Sequence, residues 1–162
     1  MKALEEILAP YGDWIQTCKS ATNPFRLRCQ LDPAADPLEL ASAWGGVTLP
    51  PRVARLWALY RSGTLFRDVD YGQWGLKLLS PTEAATRSAA ERAARPQDFR
   101  ESDVVLGEFL GDQDLLVVDK GGTVLVALPL DRRADWYRAA ADLPEFFGRY
   151  VEGGGDKYWE NR

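Results

Sequence analysis

Asp68 and Asp70 stand two residues apart in a β-rich run, a spacing that sets both carboxylates on one face of a strand. Asp112 and Asp114 flank a second turn signal, Gly111-Asp-Gln. Paired carboxylates suit a divalent cation, or the acid and base of glycoside hydrolysis. Turn chemistry and solvated strand edges use aspartate in the same positions. The 162-residue chain has no histidine, which excludes a Ser-His-Asp or Cys-His triad, a His-ligated metal and histidine as general base. Cys18 and Cys29 have neither Cys-x-x-Cys spacing nor a basic imidazole to activate them. They read as two buried thiols in a reducing compartment, and a four-cysteine zinc site or an iron–sulfur cluster cannot be built from them. No catalytic residue, metal or cofactor is expected.

The net charge of −4 argues against direct nucleic-acid binding. Residues 1–100 carry 13 Lys and Arg against 11 Asp and Glu, whereas residues 101–162 carry 7 against 13. Between Arg100 and Lys120 there is no base, while Glu101, Asp103, Glu108, Asp112, Asp114 and Asp119 all fall there. Two explanations stand for this stretch: the solvated outer face of a sheet, or a binding surface whose rigid carboxylates steer a basic partner. No run reaches the 18 or so apolar residues of a membrane span. The N-terminal Met-Lys-Ala-Leu-Glu-Glu lacks the apolar stretch of a signal peptide, so a cytoplasmic location is expected.

The elements that would position these residues follow from periodicity. Leu4, Ile7, Leu8, Tyr11, Trp14, Ile15 and Cys18 recur at three and four, predicting a helix over 2–19 with a kink or break at Pro10. Residues 20–37 read as loop, with 25–31 alternating as a short edge strand. One or two helical turns over 38–44 end at Gly45-Gly46. A helix opens at Leu49-Pro50-Pro51, with Gly63 placed as its left-handed cap. Residues 64–71 and 74–79 predict two strands, with Trp74, Leu76 and Leu78 facing inward. Ser80-Pro-Thr-Glu83 is a capping-box signature that opens an alanine-rich surface helix running to Arg95. Residues 104–110, 114–119 and 123–128 predict a three-stranded antiparallel meander with tight turns. Asp142-Leu-Pro-Glu145 starts a last helix, stopped at Gly153-Gly-Gly155, and Tyr158 and Trp159 of the tail should dock on the body. The order predicts a single α+β domain with an antiparallel sheet and helices packed against it. Residues 1–44 form an N-terminal elaboration of that domain, and 45–162 its main part.

Several of these motifs, in this order, resemble the SUKH superfamily (Smi/Knr type), which includes the yeast cell-wall assembly regulators. Leu49-Pro50 with Ser62-Gly63 resembles that family's Leu-Pro…Asn-Gly segment, with Ser62 in place of the usual Asn. Trp74-Gly75-Leu76 with Ser80-Pro-Thr-Glu83 is similar to its glycine-hydrophobic strand and glutamate-bearing helix. Asp114-Leu-Leu-Val-Val-Asp119 followed by Gly-Gly-Thr-Val resembles its central meander, and Leu143-Pro-Glu-Phe-Phe147 its final helix. The match spans about 45–152 and leaves 1–44 outside it. The resemblance implies a non-enzymatic domain whose bacterial members are mostly immunity proteins that neutralise a cognate toxin, often a nuclease, of a polymorphic toxin system.

Together these readings predict a protein-binding surface of Asp68, Asp70, Glu108, Asp112 and Asp114, with Tyr71 and Trp74 as aromatic anchors. The expected partner is a basic toxin domain, with the chain a monomer or weak homodimer and no membrane contact. A regulatory scaffold without a toxin, and a carboxylate-based hydrolase, are the alternative functions.

Overall fold

From the N-terminus, the computed structural model, which describes residues 2–16 and 25–161, runs α1 (Leu4–Leu8), a 3-10 turn (Ala9–Tyr11) and β1 (Asp13–Gln16). Next come β2 (Leu27–Leu31), α2 (Pro37–Trp44), α3 (Pro51–Leu59), β3 (Gly63–Asp68), β4 (Leu76–Leu78) and α4 (Pro81–Ala94). The chain closes with β5 (Val104–Phe109), β6 (Leu115–Val118), β7 (Val124–Ala127), a 3-10 turn (Arg133–Asp135), β8 (Tyr137–Ala140), α5 (Leu143–Glu152) and a 3-10 turn (Tyr158–Glu160). The strands form one eight-stranded sheet in sequence order, each antiparallel to the next, and the helices pack against it. The molecule is a single α+β domain.

The predicted meander is its centre: Leu115–Val118 pair with Ala127–Val124 in unbroken register, and every residue of β6 is buried. The sheet is larger than the sequence indicates, because strands form on both flanks. The chain over 2–19 is helical only to Leu8, and the reason is Pro10, which has no N–H for a helix and disfavours α geometry at Ala9. One 3-10 turn later the chain extends as β1. Residues 25–31 do make a strand, but an interior one, since β1 covers its outer edge. β8 carries no β-branched residue and exists because β7 offers it an edge. Cys18 lies outside the described residues.

Helix boundaries follow local chemistry. At α4 the Ser80 hydroxyl accepts the Glu83 amide while the Glu83 carboxylate accepts the Ser80 amide, both at 3.1 Å. That helix buries only Pro81, Ala84 and Ser88, as its composition implies. At α5 Asp142 accepts from the Glu145 amide, but Glu145 reaches back to Ala141 rather than Asp142. Gly63 is not a helix cap. The α3 helix ends at Leu59, and Gly63 starts β3 with φ +149, its Cα so close to Leu31 that a Cβ would meet the Leu31 Cα at 2.8 Å.

The core joins α1, α3 and α5 to the inner face of the sheet. Leu4, Ile7 and Leu8 of α1 and Leu143, Phe146, Phe147 and Tyr150 of α5 are all buried. Two indoles fix α2 and α3 to the start of α4: Trp44 donates to the Pro81 carbonyl at 2.8 Å and Trp57 to the Leu79 carbonyl at 3.0 Å. At the bulge in β3, Phe66 takes a left-handed conformation (φ 52), which costs an L-residue about 1–2 kcal/mol. Its amide donates to Cys29 Sγ, and its ring packs on Tyr11, Trp14 and Tyr150, so burial holds the strained position.

Candidate protein-binding site

At one end of the sheet the β3–β4 loop (69–75), the β5–β6 turn (110–114) and the C-terminal tail meet. The Leu110 amide donates to Gly75 O at 2.9 Å, which ties the loop to the turn. Close approach requires glycine at 75, where a Cβ would lie 2.8 Å from Arg67 Cα and φ is +115. Asp68, Asp70, Tyr71, Trp74, Asp112 and Asp114 are all brought to this end. Glu108 lies further back in β5, opposite Lys77.

The carboxylates do not form the free acidic face that their order suggests. Asp68 is 1% exposed and turns inward, where Oδ1 accepts the amides of Asp70 and Tyr71 at 3.0 and 3.3 Å. It is a loop-building residue, and Asp70, beyond the strand end, does not share its face. Asp70 pairs with the Arg26 guanidinium through both oxygens. Glu108 accepts from Arg87 at 2.7 Å. Two more carboxylates of the acid stretch are engaged within the chain: Asp103 is buried against Arg133, and Asp119 caps its own turn by accepting the amides of Gly121 and Thr123.

Asp112 and Asp114 share one cation, the ammonium of Lys157. It contacts Asp112, lies 4.0 Å from Asp114, and sits 5.3 and 5.6 Å from the ring centroids of Trp74 and Phe109. The Lys157 side chain is 7% exposed. Burial pushes the Asp114 carboxyl above its ordinary range, opposed by Lys157 and reinforced by Asp112. Oxygens of Asp112, Asp114 and Glu160 lie within 4.8 Å of one another, a donor set that suits a hard cation in principle. Lys157 supplies positive charge to two of the three, so a metal here would compete with a built-in ammonium.

What the end of the sheet does present is the loop tip. Tyr71 is 75% exposed and Val69 43%, on a loop fixed by Asp68 from within and by the Arg26–Asp70 pair from outside. Trp74 is half-buried beneath Lys157, so it supports the surface rather than projecting from it. The cations that neutralise the candidate carboxylates, Arg26, Arg87 and Lys157, were missed from the sequence. Arg26 alternates with Leu27 in a recognisable strand pattern, whereas nothing local to Lys157 signals a partner in the β5–β6 turn. Cys29 offers no nucleophile, since burial raises its thiol to about 12. A cleft of about 550 Å³ lies elsewhere, between α1 and α5, walled by Ile7, Pro10, Tyr11, Pro144 and Val151. No helix among the described residues is long and apolar enough to cross a membrane. No protein-family model matches the chain, and no curated protein matches it significantly.

Proposed function

We propose that this chain is a non-catalytic binding protein of the immunity type, which neutralises a cognate toxin by docking through the β3–β4 loop and the adjoining β5–β6 turn. The observation that carries the reading is the exposed Tyr71 on a loop whose backbone is already fixed. A large aromatic held in place before contact loses little entropy on binding, which is what makes tyrosine a frequent interface anchor. The SUKH-like motifs support the same reading: they bracket α3, run from the end of the β3–β4 loop through β4 into α4, span β6–β7 and open α5. The carboxylates at this site are neutralised within the chain, so they act as a polar rim around Tyr71 and a free acidic face is not part of the proposal.

Co-expression with the product of the neighbouring gene tests this, scored by survival and by co-purification. Survival with a stoichiometric complex is expected, and Tyr71→Ala should weaken that complex at least tenfold with Tm unchanged. Persistent toxicity with no complex would shift the reading to a scaffold domain that binds some other protein.

A further inference from the structure

The outer face of β1, β2 and β3 carries a feature that the docking loop does not account for. Ile15 pairs with Arg28, and Arg28 pairs with Arg67, so these three side chains form one row across three strands, and all three are exposed. The Val69 amide donates to Arg26 O at 2.9 Å, which extends the same face to the Arg26 and Val69 side chains; the exposed Tyr71 follows in the adjoining turn. Two arginines directly opposite each other on neighbouring strands repel, with Cβ atoms about 5 Å apart. Arg67 makes no ion pair among the described residues. Among the described residues Arg28 has only Asp13, at 3.7 Å with both side chains well exposed, where water screens the attraction. Arg26 is matched by Asp70. The local sequence therefore places like charges where the fold would prefer a pair, and such conflicts are characteristic of functional surfaces.

The geometry points to this face as a docking surface for an acidic protein segment, one that sets a carboxylate between the Arg28 and Arg67 guanidiniums and apolar side chains on Ile15, Val69 and Tyr71. Arginine and tyrosine beside exposed aliphatic residues is the composition of a protein-binding hot spot. Asp13 and Asp70 within the patch, and the net charge of −4, oppose a polyphosphate strand. The inference rests on the binding-protein reading and extends it, because it makes the partner acidic where it meets the sheet, a polarity opposite to that expected from the charge order of the sequence.

A fluorescent peptide alternating glutamate with leucine and phenylalanine serves as the probe, measured against the same peptide with lysine for glutamate and against a single-stranded oligonucleotide. The wild-type chain should bind the glutamate peptide and neither control. Arg67→Glu should lower that affinity at least tenfold while Tm stays level or rises, since the substitution replaces cross-strand repulsion with attraction. Arg67→Gln should lose binding to a lesser extent, and it keeps the test valid if the charge reversal misfolds. Equal binding by wild type and Arg67→Gln, no binding of the glutamate peptide, or tighter binding of the oligonucleotide would each overturn the proposal. In the co-expression assay, a complex that forms normally with Arg67→Glu would sink this inference and leave the immunity reading intact. Absence of any complex with wild type would count against the immunity reading, while the peptide titration still decides the docking surface.

Discussion

Cys29 sits inside the sheet with its Sγ accepting the Phe66 amide at 3.1 Å, and burial lifts the thiol from 9.0 to about 12. An acid whose folded value exceeds its unfolded value destabilises the fold as pH rises between the two, because the unfolded chain ionises first. Stability should therefore fall from pH 9 upward, and Cys29→Val should flatten that slope in denaturant titrations. The Cys29 peptide should resist iodoacetamide at pH 8 in the native state and react on unfolding; native-state labelling would contradict the burial argument. Asp114 obeys the same sign. Its raised carboxyl works against the fold when ionised, a penalty present at neutral pH and relieved as pH falls through the folded value. Asp114→Asn should leave Tm level or raised at pH 7, with the difference gone in acid. Lys157→Met keeps the apolar stem but strips Asp112 and Asp114 of their cation, and should cost about 1–3 kcal/mol. A matching loss in Asp114→Asn would show that the carboxylate, rather than the ammonium, is the stabilising partner.

At the scale of elements, the capped helices and tight hairpins were legible because their signals are local. Ser80 and Glu83 bond to each other's backbone, so the helix start is written in four residues; Ser80→Ala should cost about 1 kcal/mol, measured by denaturant midpoint. The Gly111 and Gly121-Gly122 turns likewise lie next to the strands they join. The β3–β4 loop is different. Its shape depends on Gly75 passing against Arg67 and on the hydrogen bond from Leu110, a residue of another hairpin. Gly75→Ala forces a Cβ to within 2.8 Å of Arg67 Cα at a positive φ, and should cost roughly 1–3 kcal/mol while displacing Tyr71. A variant with unchanged stability and unchanged partner binding would remove Gly75 from the account of the loop. β1 and β8 were not legible. Trp14 and Ile15 of β1 suit a strand but also fit the helical spacing from Leu4, and β8 is half alanine; each becomes a strand because a neighbouring strand offers unpaired amides and carbonyls.

Over the whole molecule, the C-terminal tail holds distant parts together. Trp159 is buried against Phe109, Phe146 and Tyr150, and the Tyr158 hydroxyl donates to Ala139 O at 2.8 Å on β8. The chain reaches that position through Gly155, where a Cβ would meet the Phe66 ring at 2.7 Å. Removing the indole opens a cavity shared by strand and helix, so Trp159→Ala should cost about 3–5 kcal/mol. Its Nε1 is buried with no partner among the described residues, and Trp159→Phe removes that orphan donor as well as volume. The phenylalanine variant should thus be far milder than the alanine one by thermal melts; equal losses would mean that the indole nitrogen makes a bond after all. The tail also delivers Lys157 to the β5–β6 turn, which couples stability of the C-terminus to the charge state of Asp112 and Asp114.

The sequence by itself determined the α+β class, the central meander and the two capped helices, because each is encoded by periodicity or turn chemistry among near neighbours; that Tyr158 and Trp159 dock followed from the cost of exposing two aromatics, while their partners Phe109 and Ala139 are set by the fold. The β3–β4 loop and the β5–β6 turn, which carry Asp70 and Asp112, lie at one end of the sheet because alternate hairpins of a meander turn at the same end. Only the tertiary structure decided what each of their carboxylates meets. Whether Asp70, Glu108 or Asp112 faces solvent or a cation depends on Arg26, Arg87 and Lys157, which stand 44, 21 and 45 positions away. Charge order along a chain does not report such pairing, because Coulomb attraction acts across space and is set by which strands lie side by side. The same registration puts Arg28 beside Arg67, and so exposes a cationic row on a protein whose overall balance is acidic.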